Sequence, residues 1–516
     1  MKMRKNEYKP LLFTTTIRNP ERIKQFMSII VKYNGKILTN ELIDEIVSDI
    51  VSAKLYTPYY VKRTANLLDK LQNDIPYTKN EIKTIIEKSP QNHKEAGFQK
   101  GWPSRFDTWY KFLKELGFVY YEMNKSIEVS EAGTKLALAV NEGYEHLENQ
   151  IFLNSFSKYQ RVNPYRRVSN DNKPLILLLN VIKELKKVFP DSAGISKKEI
   201  PLIICWKDND YMRLVKKIVE IRSKYSFTPS NECIYEECKS ELSLTVADEK
   251  RFKLDNILNE LPDEFIRKMR LTGLVTIRGM GRFIDINSLE DYKIKYILDN
   301  YSNIKKFSTE KEYFDYMKII DSKLISSEKN LTMNNDTKRM LFTKWVSSFD
   351  ENILCSELKI VADCKKQSKH ELFKYIDEPL RLEFLTSLLL QKHFNDIVVK
   401  PNYSIDDEGL PTSYAIGGTP DIECLDEEGN ILFEVTLLTG TQQCIREMPA
   451  IARHLQECII NYPNSFSVML APVIHHDTIE YSKFIKYKDN IEIKTLDIVS
   501  FADKINEMKN IREYNL

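Results

Sequence analysis

Cysteine is sparse in this sequence of 516 residues, which has eight cysteines scattered along its length. No two of them form a Cys-x-x-Cys pair, so the sequence has neither the ligand spacing of a common zinc site nor a disulfide framework. Isolated thiols of this kind are typical of proteins kept in a reducing compartment. We therefore expect a cytoplasmic protein with free thiols.

Long apolar runs are also missing. A membrane-spanning helix needs roughly 18 or more apolar residues in succession, and the longest candidates, such as Leu175–Ile182, are far shorter. The opening residues MKMRKNEYKPLLFTTT include basic side chains, but they lack the apolar core and the small-residue cleavage site of a signal peptide. We expect no membrane partner and no secretory leader.

Charge of one sign is not in excess either. The sequence has 76 Lys and Arg residues against 74 Asp and Glu residues, which gives a net charge of +2. This balance gives no global nucleic-acid signal, so a DNA-binding surface would have to come from local sorting of charge. The length of 516 residues predicts two to four domains.

The order of predicted elements in the first 300 residues is typical of winged helices. Predicted helices at 79–88 and 105–116 precede an alternating segment, 118–129, which has a turn at Asn124-Lys125 and is followed by another helix. A second copy lies within 197–298, with a helix, a hairpin and a further helix. Both segments could be ordinary packing units, but we interpret 1–160 and 161–300 as two winged-helix-like DNA-recognition subdomains.

The remaining sequence predicts a connector and a second type of domain. Residues 302–349 are polar, rich in lysine and helical in pattern, so we assign a helical linker to 301–371. From Leu372 onward a helix at 379–393 precedes strands, another helix and further strands. The predicted fold is therefore multidomain α+β, ending in an α/β domain at 372–516 with a central mixed β-sheet.

Two carboxylates near the start of this domain carry the chemistry. Asp421 begins one predicted strand, and Glu434 lies inside the next, in the apolar run Ile431–Val435 after a polar turn. A carboxylate in an apolar strand costs free energy unless a cation or hydrogen bonds satisfy it. Two on adjacent strands indicate a site for a hard cation. Hydrolysis of a phosphodiester needs such a site, because Mg²⁺ activates the attacking water and stabilises the leaving oxygen.

The spacing of these carboxylates resembles the PD-(D/E)xK nuclease core, with one departure. Thr436 occupies the position where that core usually has a lysine that polarises the attacking water. Glu447 is a candidate replacement, and it shares a helix face with His454, seven residues on. In nuclease cores an acidic residue of the first helix often completes the metal shell, which here points to Glu383. Each of these three side chains could instead be an ordinary surface group.

The whole chain resembles the AlwI family of type II restriction endonucleases, which includes site-specific nicking enzymes. The resemblance is carried by four segments: LLFTTTIRNPERI near the N-terminus, Gly101–Phe106, Asn163–Arg167, and Gly418–Thr436 with Glu447 and His454. The ending Glu434-Val435-Thr436 is itself a family trait. The resemblance implies a Mg²⁺-dependent enzyme that binds a short asymmetric duplex site and cuts a few base pairs to one side of it.

Carried over by position, the resemblance implies an acidic catalytic set of Glu383, Asp421, Glu434 and Glu447, with His454 as an auxiliary residue. The first three would bind the metal. Base readout of an asymmetric site requires contacts in the major groove, and the candidate residues are Arg105, Arg161, Arg166 and Arg167. Each of these arginines could equally be a phosphate anchor or a solvated charge.

The resemblance also implies partners. The substrate would be double-stranded DNA, and a cognate DNA methyltransferase would belong to the same restriction-modification system. One active site cuts one strand at a time, so a double-strand break needs a transient homodimer or a small partner subunit. Two alternatives remain open at this point: a related nuclease of transposition or repair, and a catalytically silent winged-helix DNA binder.

Overall fold

The computed structural model describes residues 7–13, 21–72, 75–141, 147–325, 333–363, 366–415 and 418–513. Part of the LLFTTTIRNPERI segment lies outside these residues. The chain divides into two compact units, of which unit 1 comprises 1–68 and 76–331 and unit 2 comprises 69–75 and 332–516. No helix among the described residues is long and apolar enough to cross a membrane.

Helices dominate the chain before residue 332. In order they are α1 (Glu21–Ile30), α2 (Asn40–Ser52), α3 (Tyr59–Arg63), α4 (Ala65–Gln72), α5 (Lys79–Glu87), α6 (Trp102–Glu115), α7 (Glu131–Asn141), α8 (Glu148–Lys158), α9 (Pro174–Val188), α10 (Ile200–Cys205), α11 (Tyr211–Tyr225), α12 (Asn231–Leu242), α13 (Val246–Glu249), α14 (Leu261–Arg270), α15 (Asp291–Tyr301), α16 (Glu310–Met317) and α17 (Ser322–Ile325). The strands here are β1 (Val119–Tyr120), β2 (Glu128–Val129), β3 (Ile195–Ser196), β4 (Val275–Arg278) and β5 (Phe283–Ile286).

These strands form two small sheets in unit 1. The antiparallel pair β1–β2 follows α5 and α6 and precedes α7, and Asn124 in its loop has a positive φ of 62°. The second sheet has the order β3-β5-β4, and all its pairs are antiparallel. Both hairpins therefore lie where the alternation of the sequence predicts them.

The chain after residue 332 carries the main sheet. Its helices are α18 (Asn335–Ser348), α19 (Glu351–Ala362), α20 (Glu378–His393), α21 (Met448–Asn461), α22 (His476–Asp489) and α23 (Ile498–Lys504). Its strands are β6 (Val398–Pro401), β7 (Ser404–Ile405), β8 (Pro411–Ser413), β9 (Ile422–Leu425), β10 (Asn430–Val435), β11 (Phe466–Ala471) and β12 (Ile493–Asp497). This unit is mixed α/β, so the chain as a whole is α+β.

The main sheet has five strands in the order β12-β11-β10-β9-β6. Strand β9 runs antiparallel to both of its neighbours, β6 and β10, whereas β10, β11 and β12 are parallel. The parallel half needs crossover helices, and α21 and α22 supply them. Leu432 of β10 packs with Ile451 and Leu455 of α21 in a buried core cluster. Glu434, two residues after Leu432, projects from the same side of β10.

The predicted linker at 301–371 is not a separate element. The unit boundary falls inside it, at residue 331. Before the boundary, α16 buries Tyr313, Phe314 and Met317, and Lys114 on α6 donates to Glu310 over 2.6 Å. After it, α19 packs against α20 and α23. Both parts of the segment therefore belong to the core of a unit, because each has apolar residues to bury.

Candidate active site

The hairpin β9–β10 holds Asp421 and Glu434 side by side. Ile422 pairs with Phe433, so the next position in this register sets Asp421 directly across from Glu434. The Val435 backbone N–H donates to Asp421 Oδ2 over 2.8 Å, and the Asp421 backbone N–H donates to the Glu434 carboxylate. Each carboxylate is thus fixed by the backbone of the other strand, as the polar turn between two apolar strands predicts.

The turn of this hairpin is closed by Asp426 and Arg512. Asp426 Oδ1 accepts hydrogen bonds from the backbone N–H groups of Glu428 and Gly429, each 2.8 Å long, which is the local bonding of an Asx turn. Arg512 grips the same carboxylate with Nε at 2.6 Å and Nη2 at 2.8 Å. A bidentate pair of this kind fixes orientation as well as distance.

Burial and mutual repulsion disfavour the charged forms of the two site carboxylates. Glu434 is only 8% exposed and Asp421 is half-buried. Burial raises the pKa of Asp421 well above its usual value, and the neighbouring charge of Glu434 raises it further. Burial and the charge of Glu447 likewise raise the pKa of Glu434. Crowded carboxylates of this kind are stabilised by a bound cation.

His454 contacts Glu434 from α21. Its Nδ1 lies 2.7 Å from Glu434 Oε1, and burial lowers the pKa of the imidazole. The ring is therefore neutral at physiological pH, and when Glu434 is ionised the Nδ1–H donates to its carboxylate. This bond orients Glu434 and leaves Nε2 as the basic atom of the ring.

Glu447 reaches the site from a chain segment that follows β10. It ends a π-helical turn, Gln443–Glu447, that leads directly into α21. Thr436 Oγ1, at the end of β10, donates to Glu447 Oε1 over 3.3 Å. Thr436, which occupies the usual lysine position, therefore orients Glu447, the carboxylate that the sequence suggests as a replacement for that lysine.

Gln443 is a site-supporting residue that sequence reasoning missed. Its side-chain NH₂ donates to the backbone oxygens of Leu438 and Val473, each over 2.7 Å. Its Oε1 accepts from the His475 backbone N–H over 2.9 Å. A single buried glutamine ties the loop after β10 to the segment after β11. Nothing in the sequence distinguishes it from other glutamines.

Glu383 lies on another element of the same unit. It is buried on α20, which contacts β6 and β10, and its charge helps to raise the pKa of the Tyr403 hydroxyl. Within the described residues, no three His, Cys, Asp or Glu side chains form a group that could hold a metal ion. The structure brings Asp421, Glu434, Glu447 and His454 together, but Glu383, Asp421 and Glu434 do not form a preassembled ligand group.

Of the four arginines predicted to contact DNA, Arg161 is buried and Arg166 is half-buried in unit 1. Arg161 is 2% exposed, and its guanidinium donates to the backbone oxygens of Ile204, Trp206 and Lys9. Arg166 donates to Glu115 Oε1 over 2.7 Å and to the backbone oxygens of Leu12 and Phe13. The guanidinium groups of these two arginines are therefore engaged in holding the fold and are not available to read bases.

The other two predicted arginines are accessible. Arg167 is exposed. Arg105 is half-buried, with its guanidinium carbon 4.8 Å from the ring centre of Tyr56 and 5.6 Å from that of Trp109. Both can reach a ligand, and they remain predicted DNA contacts.

Comparison with solved structures finds restriction enzymes of low overall similarity. The small subunit of the heterodimeric restriction endonuclease R.BspD6I is 27% identical, covering 26% of this chain and 71% of that one with a TM-score of 0.24. Restriction endonuclease FokI is 12% identical, covering 98% of this chain and 97% of that one, with a TM-score of 0.23 alone and 0.19 when bound to DNA. Scores this low carry no argument about this chain. No curated protein matches it.

The comparison with protein families is decisive. The model of the AlwI restriction endonuclease family matches residues 114–353 and 334–511, which together include most of the chain and all of the hairpin described above. Because the match extends over both units, it applies to the protein as a whole. The chain therefore belongs to the AlwI restriction endonuclease family and is a site-specific DNA nuclease.

Proposed function

We propose that this nuclease binds a short asymmetric duplex sequence and hydrolyses DNA at a fixed short distance outside it, with Mg²⁺ held in a PD-(D/E)xK-type core. One observation carries this proposal. Asp421 and Glu434 lie on neighbouring strands, each bonded to the other's backbone, with Glu447 and His454 beside them. Acidic side chains concentrated on two neighbouring strands are the arrangement that metal-dependent phosphodiester hydrolysis requires.

The donor chemistry of the site fits a hard divalent cation. Its candidate ligands are all carboxylate oxygens, which Mg²⁺ prefers, and two of them repel each other. Asp421 and Glu434 would hold the ion, and Glu383 would complete the set from α20. When bound, Mg²⁺ supplies activation of water and stabilisation of the leaving oxygen.

The other site residues have separate roles in this proposal. His454 fixes the rotamer of Glu434 through the bond to Oε1, which keeps that carboxylate turned toward Asp421. Thr436 fixes Glu447 in the same way. Glu447 Oε2 is then the atom that accepts a proton from the attacking water, the task usually given to the lysine of this core.

The recognition surface is proposed for unit 1, in the two winged-helix-like subdomains 1–160 and 161–300. The catalytic nuclease domain is proposed for residues 372–516. In support, β3 pairs with β5 beside the β4–β5 hairpin, which is a winged-helix order of strands. However, α6 and α14 are largely buried. The contacts to DNA would therefore come from the hairpins, loops and accessible side chains such as Arg105 and Arg167.

A double-strand break requires a second active site, because this chain supplies one. We propose that a transient homodimer or a small partner subunit cuts the second strand, and that a cognate methyltransferase protects the host site. The experiment that tests the function is run-off sequencing of both strands after digestion of a long DNA with Mg²⁺. The expected result is breaks at a constant offset from one asymmetric sequence. Breaks without a common sequence nearby would overturn the proposal.

A further inference from the structure

Three buried nitrogen atoms near the start of α6 have no hydrogen-bond partner among the residues that the structure describes. They are Arg105 Nε, Trp109 Nε1 and His93 Nδ1. Buried polar groups normally find an acceptor, and each one left without it costs about 1–3 kcal/mol. Three in one neighbourhood therefore indicate that something else accepts from them.

The hydrogen-bond roles around His93 follow from its partner. Arg105 Nη1 lies 2.7 Å from His93 Nε2, and a guanidinium can only donate. His93 Nε2 must therefore accept. Burial and the charge of Arg105 lower the pKa of His93, so the ring is neutral and its single proton is on Nδ1. All three unpartnered atoms are then N–H donors.

The side chains around these three donors are positively charged. Arg22 lies close enough to Arg105 that the two guanidinium groups repel, and the pKa of Arg22 is lowered by burial and by that repulsion. Within the described part of the chain, neither arginine forms an ion pair with a carboxylate. Glu95, whose charge acts on His93, lies 3.7 Å from Lys111 and pairs with it.

Aromatic rings keep these cations in place and leave them accessible. The Tyr56 and Trp109 ring centres lie 5.1 Å apart, and Trp102 packs 6.1 Å from Trp109. Trp109 is buried, whereas Arg22, Tyr56, Trp102 and Arg105 are half-buried. The three donor atoms themselves are buried, so a ligand reaches them only when the half-buried side chains around them move aside.

We propose that the cluster of Arg22, His93, Arg105 and Trp109 is an anion site that holds a backbone phosphate of duplex DNA. This inference rests on the proposed DNA binding by unit 1. A phosphate supplies the acceptor oxygens that the three N–H donors lack and the negative charge that the two guanidinium groups lack. The contact is to the backbone, so it adds affinity and fixes register without reading a base.

The test uses the full chain in EDTA, with a labelled duplex of random sequence and fluorescence anisotropy at several salt concentrations. Arg105→Met keeps the stem between the aromatic rings and removes the charge and the donors. Losing one phosphate contact makes the slope of log K against log salt less negative by about 0.9, which is roughly an eightfold loss of affinity at 0.1 M salt. The melting temperature should stay within about 3 °C of wild type, because the variant also relieves the repulsion from Arg22.

Arg213→Met is the matched control. Arg213 also lies over an indole, 3.9 Å from the ring centre of Trp206, but its donors are filled by Asp208 and Glu241. We expect this variant to keep the wild-type slope and affinity. Trp109→Phe keeps the ring, removes one donor, and should weaken binding less than Arg105→Met does.

Each outcome decides the proposal. An Arg105→Met chain with wild-type affinity and slope would overturn it and would mean that water satisfies the donors. Equal losses in both arginine variants would reduce the effect to general charge and would also overturn it. If Arg105→Met weakened the binding of single-stranded DNA and left the salt slope unchanged, the site would hold a stacked base and not a phosphate, which would also overturn the proposal. A wild-type chain that binds no duplex would overturn the proposed function as well, so the two failures are distinguishable.

Discussion

Replacing Glu434 with glutamine tests the proposed site with the least disturbance of the fold. The amide keeps an oxygen that can accept from His454 Nδ1 and from the Asp421 backbone N–H, the two bonds that hold Glu434 now. What the variant removes is the negative charge. We expect cleavage to be lost, while the structure and DNA binding stay.

The magnitude follows from the role of that charge. If Glu434 is a metal ligand, its loss should raise the barrier by about 4 kcal/mol, which is roughly a thousandfold in rate. The effect on stability has the opposite sign. A carboxyl whose pKa is raised in the folded state lowers stability as pH rises, each pKa unit being worth about 1.4 kcal/mol. Glu434→Gln should therefore unfold at equal or higher temperature than wild type at pH 7.5, and this difference should vanish near pH 4.

The assay compares three variants by plasmid cleavage, duplex binding and melting temperature. Glu434→Ala should also fail to cut, but it strands two donors and costs about 1–3 kcal/mol for each. Glu423→Gln is the control, because Glu423 lies on β9 and is already paired with Lys400 over 2.8 Å. It should keep cutting. A Glu434→Gln enzyme that cuts within tenfold of wild type would refute the reasoning, as would one that melts early and loses DNA binding.

Three further predictions concern the metal, the unit boundary and a buried lysine. Cleavage should require Mg²⁺ or Mn²⁺, with Ca²⁺ supporting binding only, because the candidate ligands are all carboxylates; full activity in excess EDTA would contradict this. A fragment of residues 1–331 should bind duplex DNA with steep salt dependence. A fragment of residues 1–300 should melt at a lower temperature in circular dichroism, because it loses the buried Tyr313, Phe314 and Met317. Equal melting temperatures of the two fragments would contradict the packing of α16. Burial lowers the pKa of Lys158 and of Lys173 from 10.5 to about 7, so the unfolded chain binds more protons between these values and stability should rise from pH 7 to 9. Lys158→Met should roughly halve that rise in urea unfolding, and an unchanged rise would remove Lys158 as its cause.

The local sequence pattern was enough to predict many helices and strands of this protein and the hairpin that carries the candidate site. Strand alternation on either side of a polar turn predicts the β9–β10 hairpin, and the hairpin by itself brings Asp421 next to Glu434. Helical spacing predicts α21 and the proximity of His454. These features depend on residues within about forty positions of each other, where periodicity is informative.

Contacts between distant segments were not predictable. Arg161 and Arg166 look like free cations in the sequence, but backbone oxygens from far along the chain satisfy them. A polar composition at 302–349 indicates a connector, although three apolar residues bury α16. Glu447 was expected on the helix of His454, and a π-helical turn carries it instead. No periodicity reports such a turn, because it depends on how one residue is inserted into the helix ladder.

The ion pair of Arg512 with Asp426 links the proposed acidic site to a residue 86 positions further along the chain. A hairpin whose pairing slips by one residue turns every side chain to the opposite face of the sheet. Such a slip in β9–β10 would leave Glu434 facing away from α21 and His454. By locking the turn, Arg512 protects the register on which the acidic cluster depends. Loss of the Arg512 side chain should therefore leave the protein folded and able to bind DNA but impair cutting, although every proposed catalytic side chain is still present.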